Sequence, residues 1–461
     1  MATSGVFQTI NPATGEVLAE YPTIADSDVE TIVQKSREAF STWRRLSIEE
    51  RAAKVERLAG LLEEHVDELA ETMTKDMGKP LNEAKEETEF SAEIFRYYAT
   101  NGPRLAADQK VSEDDETISY IQRRPVGPLV GIMPWNFPYY QIARFAAPNL
   151  VLGNTIILKH AESCPESALA MQRMMDESGI PEGVYQNVFA THDQISQFIA
   201  HPHVQGVSLT GSERAGATIA EQAGKHLKKA VLELGGSDPY VILSTDDVKA
   251  AAQQAFAVRM ENTGRSCNSN KRMIVMDDIY DDFVAEMVNL ASELKPGDPS
   301  QPDDNAYAPL SSEKAAETLV EQLQRAREAG ATIHVGGERE DLPGYYVQPT
   351  VLTDIPQGSE IYYEELFGPI ITVFRVESDE QALQLANDTQ YGLGSAVFAT
   401  DADRAREFAE ELEAGMVGAN TSPEESAEVP FGGVKRSGYG RELGPVGMDE
   451  FVNKRLFTVK K

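Results

Sequence analysis

Apolar side chains recur three or four positions apart through the first hundred residues, which is the spacing of amphipathic helices. One such stretch covers residues 29–43 and a second covers residues 55–69, after which the Met-Gly-Lys-Pro run at 77–80 favours a helix end. A third stretch covers residues 82–98 and is followed by Gly-Pro at 102–103. We therefore predict three helices, the second ending before residue 80 and the third closed by the Gly-Pro pair.

Beyond residue 125, short apolar runs alternate with helical spacing, which is typical of a parallel sheet covered by helices on both faces. The predicted strands are residues 128–133, 155–158, 184–189, 204–209 and 229–234, and the predicted helices are residues 166–178, 193–200 and a stretch from about 213. A second region of the same kind has helices at 248–260, 280–294, 312–329, 381–387 and 402–414 and strands at 333–335, 351–353 and 370–376. Two polar, extended segments, 111–124 and 451–459, would suit pairing with each other or with another subunit.

The chain has 461 residues, too many for one ordinary core, so two or more domains are expected. Asp and Glu outnumber Lys and Arg by 74 to 42, which gives a formal net charge of −32. Phosphate binding needs basic patches, so a nucleic-acid partner is not expected. The acidic residues are dispersed along the chain, which suits either a high-salt cytoplasm or an ordinary acidic enzyme.

The N-terminal residues show no basic and apolar leader, and no apolar run is long enough to cross a bilayer. We therefore expect a cytoplasmic protein without a membrane partner. Only two cysteines occur, Cys164 and Cys267, and the histidines show no metal-ligand spacing, so no metal site is expected.

Cys267 lies in a small polar loop, Asn262-Thr-Gly-Arg-Ser-Cys-Asn-Ser-Asn-Lys-Arg272, directly after a predicted helix. Loops present reactive groups, and a thiolate nucleophile needs access and polar surroundings. A chance free cysteine explains this segment equally well. Cys164 precedes Pro165 at a predicted helix start, where a structural role is favoured.

Three further segments carry candidate chemistry. Glu233 ends an apolar strand, where burial would raise its pKa toward that of a general base, although a salt-bridged Glu is the more ordinary explanation. Asn136 lies in Met133-Pro-Trp-Asn-Phe-Pro138, a rigid turn that suits either an oxyanion donor or simple packing. Gly211, Ser212 and Gly216 follow a strand at a helix start, which suits pyrophosphate but is a weak indication alone.

Together these segments resemble the aldehyde dehydrogenase superfamily over nearly the whole chain. The similarity runs from Asn11-Pro-Ala-Thr-Gly-Glu16 through Pro134-Trp-Asn-Phe-Pro138, Lys159, Gly211-Ser212, Glu233-Leu-Gly-Gly236 and Cys267 to Glu364-Glu-Leu-Phe-Gly-Pro369 and residues 430–440. The Lys159 run and residues 233–239 are most similar to the succinate-semialdehyde dehydrogenase branch. The resemblance implies NAD(P)-dependent oxidation of an aldehyde to a carboxylate through a thiohemiacetal and thioester on Cys267.

The resemblance also implies roles for individual residues. Cys267 is the implied nucleophile, the Asn136 side chain and the Cys267 N–H form the implied oxyanion hole, and Glu233 activates the water that hydrolyses the thioester. The implied cofactor residues are Met133, Pro134, Trp135, Lys159, Glu162, Gly211, Ser212, Gly216, Leu234, Gly235, Glu365 and Phe367. A carboxylate beside the adenosine ribose repels a 2′-phosphate, so Glu162 favours NAD over NADP, unless it is only a solvated loop residue.

The expected substrate residues are Arg144, Arg265 and Tyr140. Arg144 is a lone cation among apolar and aromatic residues, so it either pairs with a protein carboxylate or binds the distal carboxylate of a short semialdehyde, which we favour. The chain departs from the family twice. Arg265 replaces the usual Gln at the expected substrate mouth, and Glu261 stands where succinate-semialdehyde enzymes often have Arg.

Succinate semialdehyde is therefore the predicted substrate. The alternatives are an uncharged aliphatic, an aromatic or a betaine aldehyde, and a non-catalytic binding or structural protein on the same fold. The resemblance implies an α/β fold in three parts: a Rossmann-like cofactor domain at 1–106 and 126–235, a catalytic α/β domain at 236–430, and a small β bridging and oligomerisation element at 107–125 and 431–461. The extended segments indicate a homodimer or homotetramer.

Overall fold

The computed structural model describes residues 6–461, and no helix in that range is both long and apolar enough to cross a membrane. Over these residues the helices are α1 (Asp28–Trp43), α2 (Ile48–Glu64), α3 (Val66–Met77), α4 (Leu81–Leu105), α5 (Pro138–Leu152), α6 (Pro165–Glu177), α7 (His192–Ala200), α8 (Glu213–Lys225), α9 (Val248–Met260), α10 (Asp277–Glu293), α11 (Glu313–Ala329), α12 (Asp379–Asn387), α13 (Ala402–Glu410) and α14 (Gly444–Gly447).

The strands are β1 (Val6–Ile10), β2 (Val17–Pro22), β3 (Gln109–Glu113), β4 (Thr117–Pro125), β5 (Pro128–Ile132), β6 (Thr155–Lys159), β7 (Tyr185–Asn187), β8 (Gly206–Thr210), β9 (Lys229–Glu233), β10 (Pro239–Ile242), β11 (Arg272–Met276), β12 (Lys295–Pro296), β13 (Ala306–Tyr307), β14 (Thr332–Val335), β15 (Thr350–Thr353), β16 (Ile370–Val376), β17 (Gly394–Phe398), β18 (Met416–Ala419), β19 (Gly438–Tyr439) and β20 (Val452–Lys460).

The first α/β unit is built on a six-stranded sheet in the order β19-β9-β8-β5-β6-β7. Its strands run parallel except β19, which pairs antiparallel with β9. Apolar side chains of β5 and β6 alternate between a core shared with α2, α4 and α5 and a core shared with α1, α7 and α8. Because both faces of the sheet are covered, the sequences of these strands are continuous apolar runs. The predicted doubly wound sheet is confirmed.

The second unit is a seven-stranded sheet in the order β14-β15-β16-β11-β10-β17-β18. Its strands are parallel apart from β14, which pairs antiparallel with β15. Helices α11, α12 and α13 pack on one face and α9 and α10 on the other. The second predicted α/β region is therefore confirmed.

A small sheet in the order β20-β4-β3 joins the two extended segments. β20 pairs antiparallel with β4 from Val452↔Pro125 to Lys460↔Thr117, so the predicted pairing of these segments with each other is confirmed. Only the last part of residues 431–461 lies in this sheet, because β19 joins the six-stranded sheet. The division into three domains stays a prediction.

Two predicted helix boundaries are wrong. α4 continues through Gly102 and Pro103 to Leu105, because Gly102 lies against Val151 of α5 and the absent side chain allows close packing there. The second predicted helix is two helices, since His65, at φ −111°, separates α2 from α3. In both places tertiary packing overrides the local pattern.

Candidate active site

Three loops with candidate chemistry leave the six-stranded sheet at one edge, because the carboxyl ends of parallel strands lie side by side. Asn136 follows β5, Gly211 and Ser212 follow β8, and Glu233 is the last residue of β9. Cys267 comes from the other unit, in the loop between α9 and β11. Hydrogen bonds between the Asn136 turn and the Cys267 loop join the two units at this edge.

The loop that carries Cys267 begins with three successive residues in the left-handed conformation: Asn262, Thr263 and Gly264, at φ 48°, 53° and 72°. Residues other than glycine adopt this conformation rarely, so neighbouring groups must hold it. Cys267 is half-buried and lines a cavity of about 160 Å³. Burial raises the pKa of its thiol to about 12, and the charges of Arg144 and Lys271 oppose that shift.

Lys271 supports the cysteine loop from the buried side. Its Nζ donates to the carbonyl oxygens of Ser266 and Cys267, at 3.0 and 2.6 Å, and lies 3.0 Å from Glu365 Oε1. Glu365 also accepts a hydrogen bond from the Gly236 N–H at 3.1 Å. No role is predicted for Lys271 from the sequence, since nothing in the local pattern shows that its side chain turns inward.

Asn136 is held against the cysteine loop at both its side chain and its backbone. Its amide Nδ2 donates to the Arg265 carbonyl at 3.1 Å, and its own carbonyl accepts from the Asn262 side chain at 2.9 Å. A side-chain amide has two N–H donors, so one remains for another acceptor. Asn136 can therefore donate to an oxyanion that forms beside the loop.

Glu233 is 2% exposed, and neither of its carboxylate oxygens has a hydrogen-bond partner among residues 6–461. Burial, reinforced by the charge of Glu442, holds the pKa of Glu233 well above its usual range, and Arg144 opposes the shift. Gly432 packs so closely that a Cβ there would be 2.6 Å from Glu233 Oε1. These features fit a proton acceptor better than a salt-bridged strand residue.

The residues expected to bind the cofactor come from both units. Those from the first unit follow strand ends: Met133, Pro134 and Trp135 after β5, Lys159 and Glu162 at β6, Gly211, Ser212 and Gly216 at β8, and Leu234 and Gly235 after β9. Glu365 and Phe367 come from the second unit, and the rings of Trp135 and Phe367 meet edge to face with centroids 5.7 Å apart.

Contacts among these residues are mostly structural. Gly216 packs under Leu234, the Ser212 hydroxyl caps α8 by accepting from the Ala215 N–H at 3.4 Å, and Lys159 Nζ lies 3.7 Å from Glu162 Oε1. The role of these residues in cofactor binding stays a prediction.

Comparison with known proteins decides the family, because the profile of the aldehyde dehydrogenase family matches residues 1–457. The chain belongs to the aldehyde dehydrogenase family. It is 48% identical over 450 residues to the succinate-semialdehyde dehydrogenase (NADP(+)) of Deinococcus radiodurans, covering 98% of this chain and 94% of that protein. The succinate-semialdehyde dehydrogenase (NADP(+)) 1 of Mycobacterium tuberculosis is 40% identical over 447 residues, covering 96% and 98%.

Solved structures support the same family assignment. The succinic semialdehyde dehydrogenase from Streptococcus pyogenes, in complex with NADP+ as the cofactor, superposes with a TM-score of 0.95 at 40% identity, covering 99% of this chain and 100% of that one. The predicted family and α/β fold are therefore confirmed, and this aldehyde dehydrogenase is an NAD(P)-dependent oxidoreductase.

Arg144 of this aldehyde dehydrogenase is not among the residues that line the cavity beside Cys267, contrary to the role that we favoured from the sequence. Its guanidinium is fully buried, lies 2.8 Å from Glu442 Oε2 and donates to Gln141 Oε1 at 2.6 Å. It also stacks against the rings of Tyr140 and Phe431. The alternative reading, an ion pair with a protein carboxylate, is the one that the structure shows.

Arg265 is also misplaced by the sequence analysis. It does not lie at the mouth of the cavity, because its side chain is completely buried and donates to backbone carbonyls behind the cysteine loop. Tyr140, the third residue expected to contact substrate, does line the cavity.

The cavity beside Cys267 is acidic. Besides Cys267, its walls are Lys79, Glu83, Glu86, Glu87, Phe90, Phe137, Tyr140, Glu261, Ser266, Asn268, Glu425 and Phe431. Lys79, the only cation among these lining residues, forms an ion pair with Glu87. We call Glu83, Glu86, Glu261 and Glu425 the mouth carboxylates. The partial removal of Glu261 from water, and then repulsion from the other three, raise its pKa to about 7.

Proposed function

We propose that this enzyme oxidises an aldehyde to a carboxylate with Cys267 as nucleophile, Asn136 as oxyanion donor and Glu233 as general base. One observation carries the proposal: Cys267 lines a cavity from a loop that is hydrogen-bonded to Asn136, and Arg144 interacts electrostatically with both Cys267 and Glu233. A carboxylate without a partner is costly to bury, so a functional role explains its presence.

The chemistry requires each of these groups. An aldehyde carbon cannot lose hydride until a nucleophile makes it tetrahedral, and attack by the Cys267 sulfur gives a thiohemiacetal. The amide of Asn136 and the Cys267 N–H would stabilise its oxyanion. The nicotinamide cofactor, when bound, accepts the hydride. Glu233 would then take a proton from water, whose attack on the thioester releases the carboxylate and frees the thiol.

The appearance of reduced cofactor tests the proposal. Enzyme mixed with oxidised cofactor and an aldehyde should produce the absorbance of the reduced nicotinamide, with one carboxylate formed for each cofactor reduced. A protein that binds the cofactor without reducing it would instead be the non-catalytic member of the family considered above.

The proposed substrate is succinate semialdehyde, which would yield succinate. The support comes from relatives, since proteins 48% and 40% identical over nearly the whole chain carry that name. At this level of identity we expect this chain and its relatives to share the fold that surrounds the cavity and Cys267. A kcat/KM for succinate semialdehyde well above that for butanal, which has the same chain length without the carboxylate, would support this choice.

A second candidate is an aldehyde whose distal group is uncharged or cationic. The observation that favours it is the cavity wall, in which five carboxylates face one cation that is already paired. A buried carboxylate on the substrate would meet repulsion and no free cation. The discriminating panel is succinate semialdehyde, butanal and 4-aminobutanal, and a preference for the last two would establish the second candidate.

The cofactor choice depends on Glu162. The relatives named above are described as NADP(+) enzymes, whereas Glu162 lies beside Lys159, where the resemblance places the adenosine ribose. We propose that the enzyme accepts both cofactors and that the Glu162 carboxylate limits the use of NADP by repelling its 2′-phosphate. Glu162→Ser should then raise kcat/KM for NADP relative to NAD, and an unchanged ratio would refute this role.

We further propose a homodimer or homotetramer. β20 is the outer strand of the small sheet, and Leu456 at 70% exposure, with Phe457 and Val459, leaves apolar surface along it. Exposed strand edges of this kind pair readily with another chain. Light scattering coupled to gel filtration should give a mass of two or four times 50.6 kDa, and a monomer would exclude the proposal.

A further inference from the structure

We propose that Arg265 is a positioning residue, which sets Cys267 against Asn136 by tying the cysteine loop to residues 77–79, at the C-terminal end of α3. We call residues 77–79 the bracket. The inference rests on the roles proposed above for Cys267 and Asn136, and it does not depend on which aldehyde is the substrate.

The Arg265 guanidinium uses every donor it has. Nε donates to the Asn262 carbonyl at 2.7 Å, Nη1 to the carbonyls of Met77 and Pro309 at 2.9 and 3.0 Å, and Nη2 to the Gly78 carbonyl and Asn262 Oδ1 at 3.1 and 2.9 Å. All five acceptors are neutral, and burial lowers the pKa of Arg265 to about 10. Burying a cation without a paired carboxylate is costly, so this arrangement is explained by what it holds in place.

The first thing that Arg265 holds is the strained start of its own loop. Residues 262–264 are all left-handed, and two of the five bonds fold back onto Asn262. The Thr263 hydroxyl adds a third tie by accepting from the Ala308 N–H at 3.2 Å. Cys267 follows two residues after Arg265, so the guanidinium fixes the direction in which the loop delivers the sulfur.

The bracket also holds the turn that carries Asn136. Lys79 pairs with Glu87, and Glu87 Oε1 accepts from the N–H groups of residues 139–140, at 2.9 and 3.1 Å, in the first turn of α5. Lys79 Nζ lies 3.5 Å from the centroid of the Phe137 ring. Asn136 is the next residue toward the N-terminus. Glu87 therefore caps α5 from another helix, and Lys79 links that cap to the bracket.

The two sets of contacts meet at adjacent residues. Met77 and Gly78 hold the nucleophile loop through Arg265, and Lys79 holds the oxyanion turn through Glu87. A change at Arg265 should therefore alter the position of Cys267 relative to Asn136. Misplacement of reacting groups by about 1 Å can cost roughly a hundredfold in rate.

The test compares Arg265→Met with Arg265→Gln. The Gln side chain keeps an amide donor, so the second variant still tests the proposal where Arg265→Met does not fold. We expect kcat to fall roughly 30- to 100-fold in Arg265→Met and less in Arg265→Gln. The fall should be the same for butanal and succinate semialdehyde, with the Kd of the cofactor unchanged. In a double-mutant cycle with Asn136→Ala the two losses should not add, because both act on one oxyanion.

The matched control is Arg51→Met. Arg51 is also a buried guanidinium that donates to backbone carbonyls, those of Leu46, Val151 and Leu152, but it has no bond to the cysteine loop. It should lower the thermal midpoint and leave kcat near the wild-type value. Lower thermal stability with unchanged kcat in both Arg265 variants would reduce Arg265 to a structural residue and overturn the proposal.

Two further outcomes have separate meanings. A KM that rises for succinate semialdehyde alone would make Arg265 a substrate contact. Additive losses in the double-mutant cycle would show that Arg265 does not act through Asn136. Either outcome overturns the inference. Wild-type kcat in Asn136→Ala would instead contradict the proposed oxyanion hole, so failure of the proposed function is distinguishable from failure of this inference.

Discussion

The floor and the mouth of the substrate cavity differ in charge balance and in how closely their geometry is fixed. At the floor, the Cys267 loop, Asn136 and Lys271 are joined by hydrogen bonds from side chains to backbone carbonyls. At the mouth, the mouth carboxylates are half-buried or exposed and repel one another. In the proposed mechanism the floor carries out the reaction, and we propose that the mouth limits which aldehydes reach it. The two regions therefore need different experiments.

The largest effect should come from the floor. Cys267→Ala removes the nucleophile, so turnover should fall by about a factor of 10⁴ or more while the cofactor still binds. Cys164→Ala is the matched control, because that cysteine is buried and lies outside the cavity lining, and it should retain activity. Comparable turnover in the wild type and Cys267→Ala would remove the covalent mechanism.

Glu233→Gln should separate the two halves of the reaction. Acylation precedes the step that needs the base, so a burst of reduced cofactor should survive while steady turnover falls roughly 10²- to 10⁴-fold. The base acts when deprotonated and burial raises its pKa, so wild-type turnover should rise with pH through the neutral range and above. Glu233→Asp should keep this pH profile, and a pH-independent wild type would contradict the role.

The mouth should produce a smaller effect that depends on salt. If the substrate carries a carboxylate, raising KCl from about 0.1 to 1 M screens the mouth carboxylates and should lower its KM roughly fivefold, with the KM of butanal unchanged. Replacing Glu261 and Glu425 by Gln should reduce this salt dependence, whereas the same change at Glu407 and Glu410 on α13 should not. A KM independent of salt would show that these charges do not reach the substrate.

The smallest effect concerns the whole surface. With a net charge of −32, molar KCl should raise the thermal midpoint by several degrees as repulsion between carboxylates is screened. Most of the rise should occur below a few tenths molar, where the Debye length shortens most. A midpoint that is flat or falls with salt would favour the ordinary acidic enzyme over a salt-adapted one.

The contrast between the floor and the mouth also explains which features of the site could be predicted from the sequence. The floor residues were predicted from the resemblance to the family, since each motif alone left an ordinary explanation open. Asn136 and Glu233 lie at strand ends, and parallel topology brings such positions together. The direction of a long side chain is not a local property. Arg144 turns to Glu442 and Arg265 to Met77 and Gly78, partners far away in the chain that only the tertiary structure brings close.

The most direct measurement is the mass of the intermediate. Glu233→Gln mixed with oxidised cofactor and succinate semialdehyde should accumulate a covalent succinyl adduct, and peptide mapping should place it on Cys267. The same adduct should be absent without cofactor, because the thioester forms only after oxidation. Reduced cofactor formed without any adduct, or an adduct on Cys164, would contradict the account.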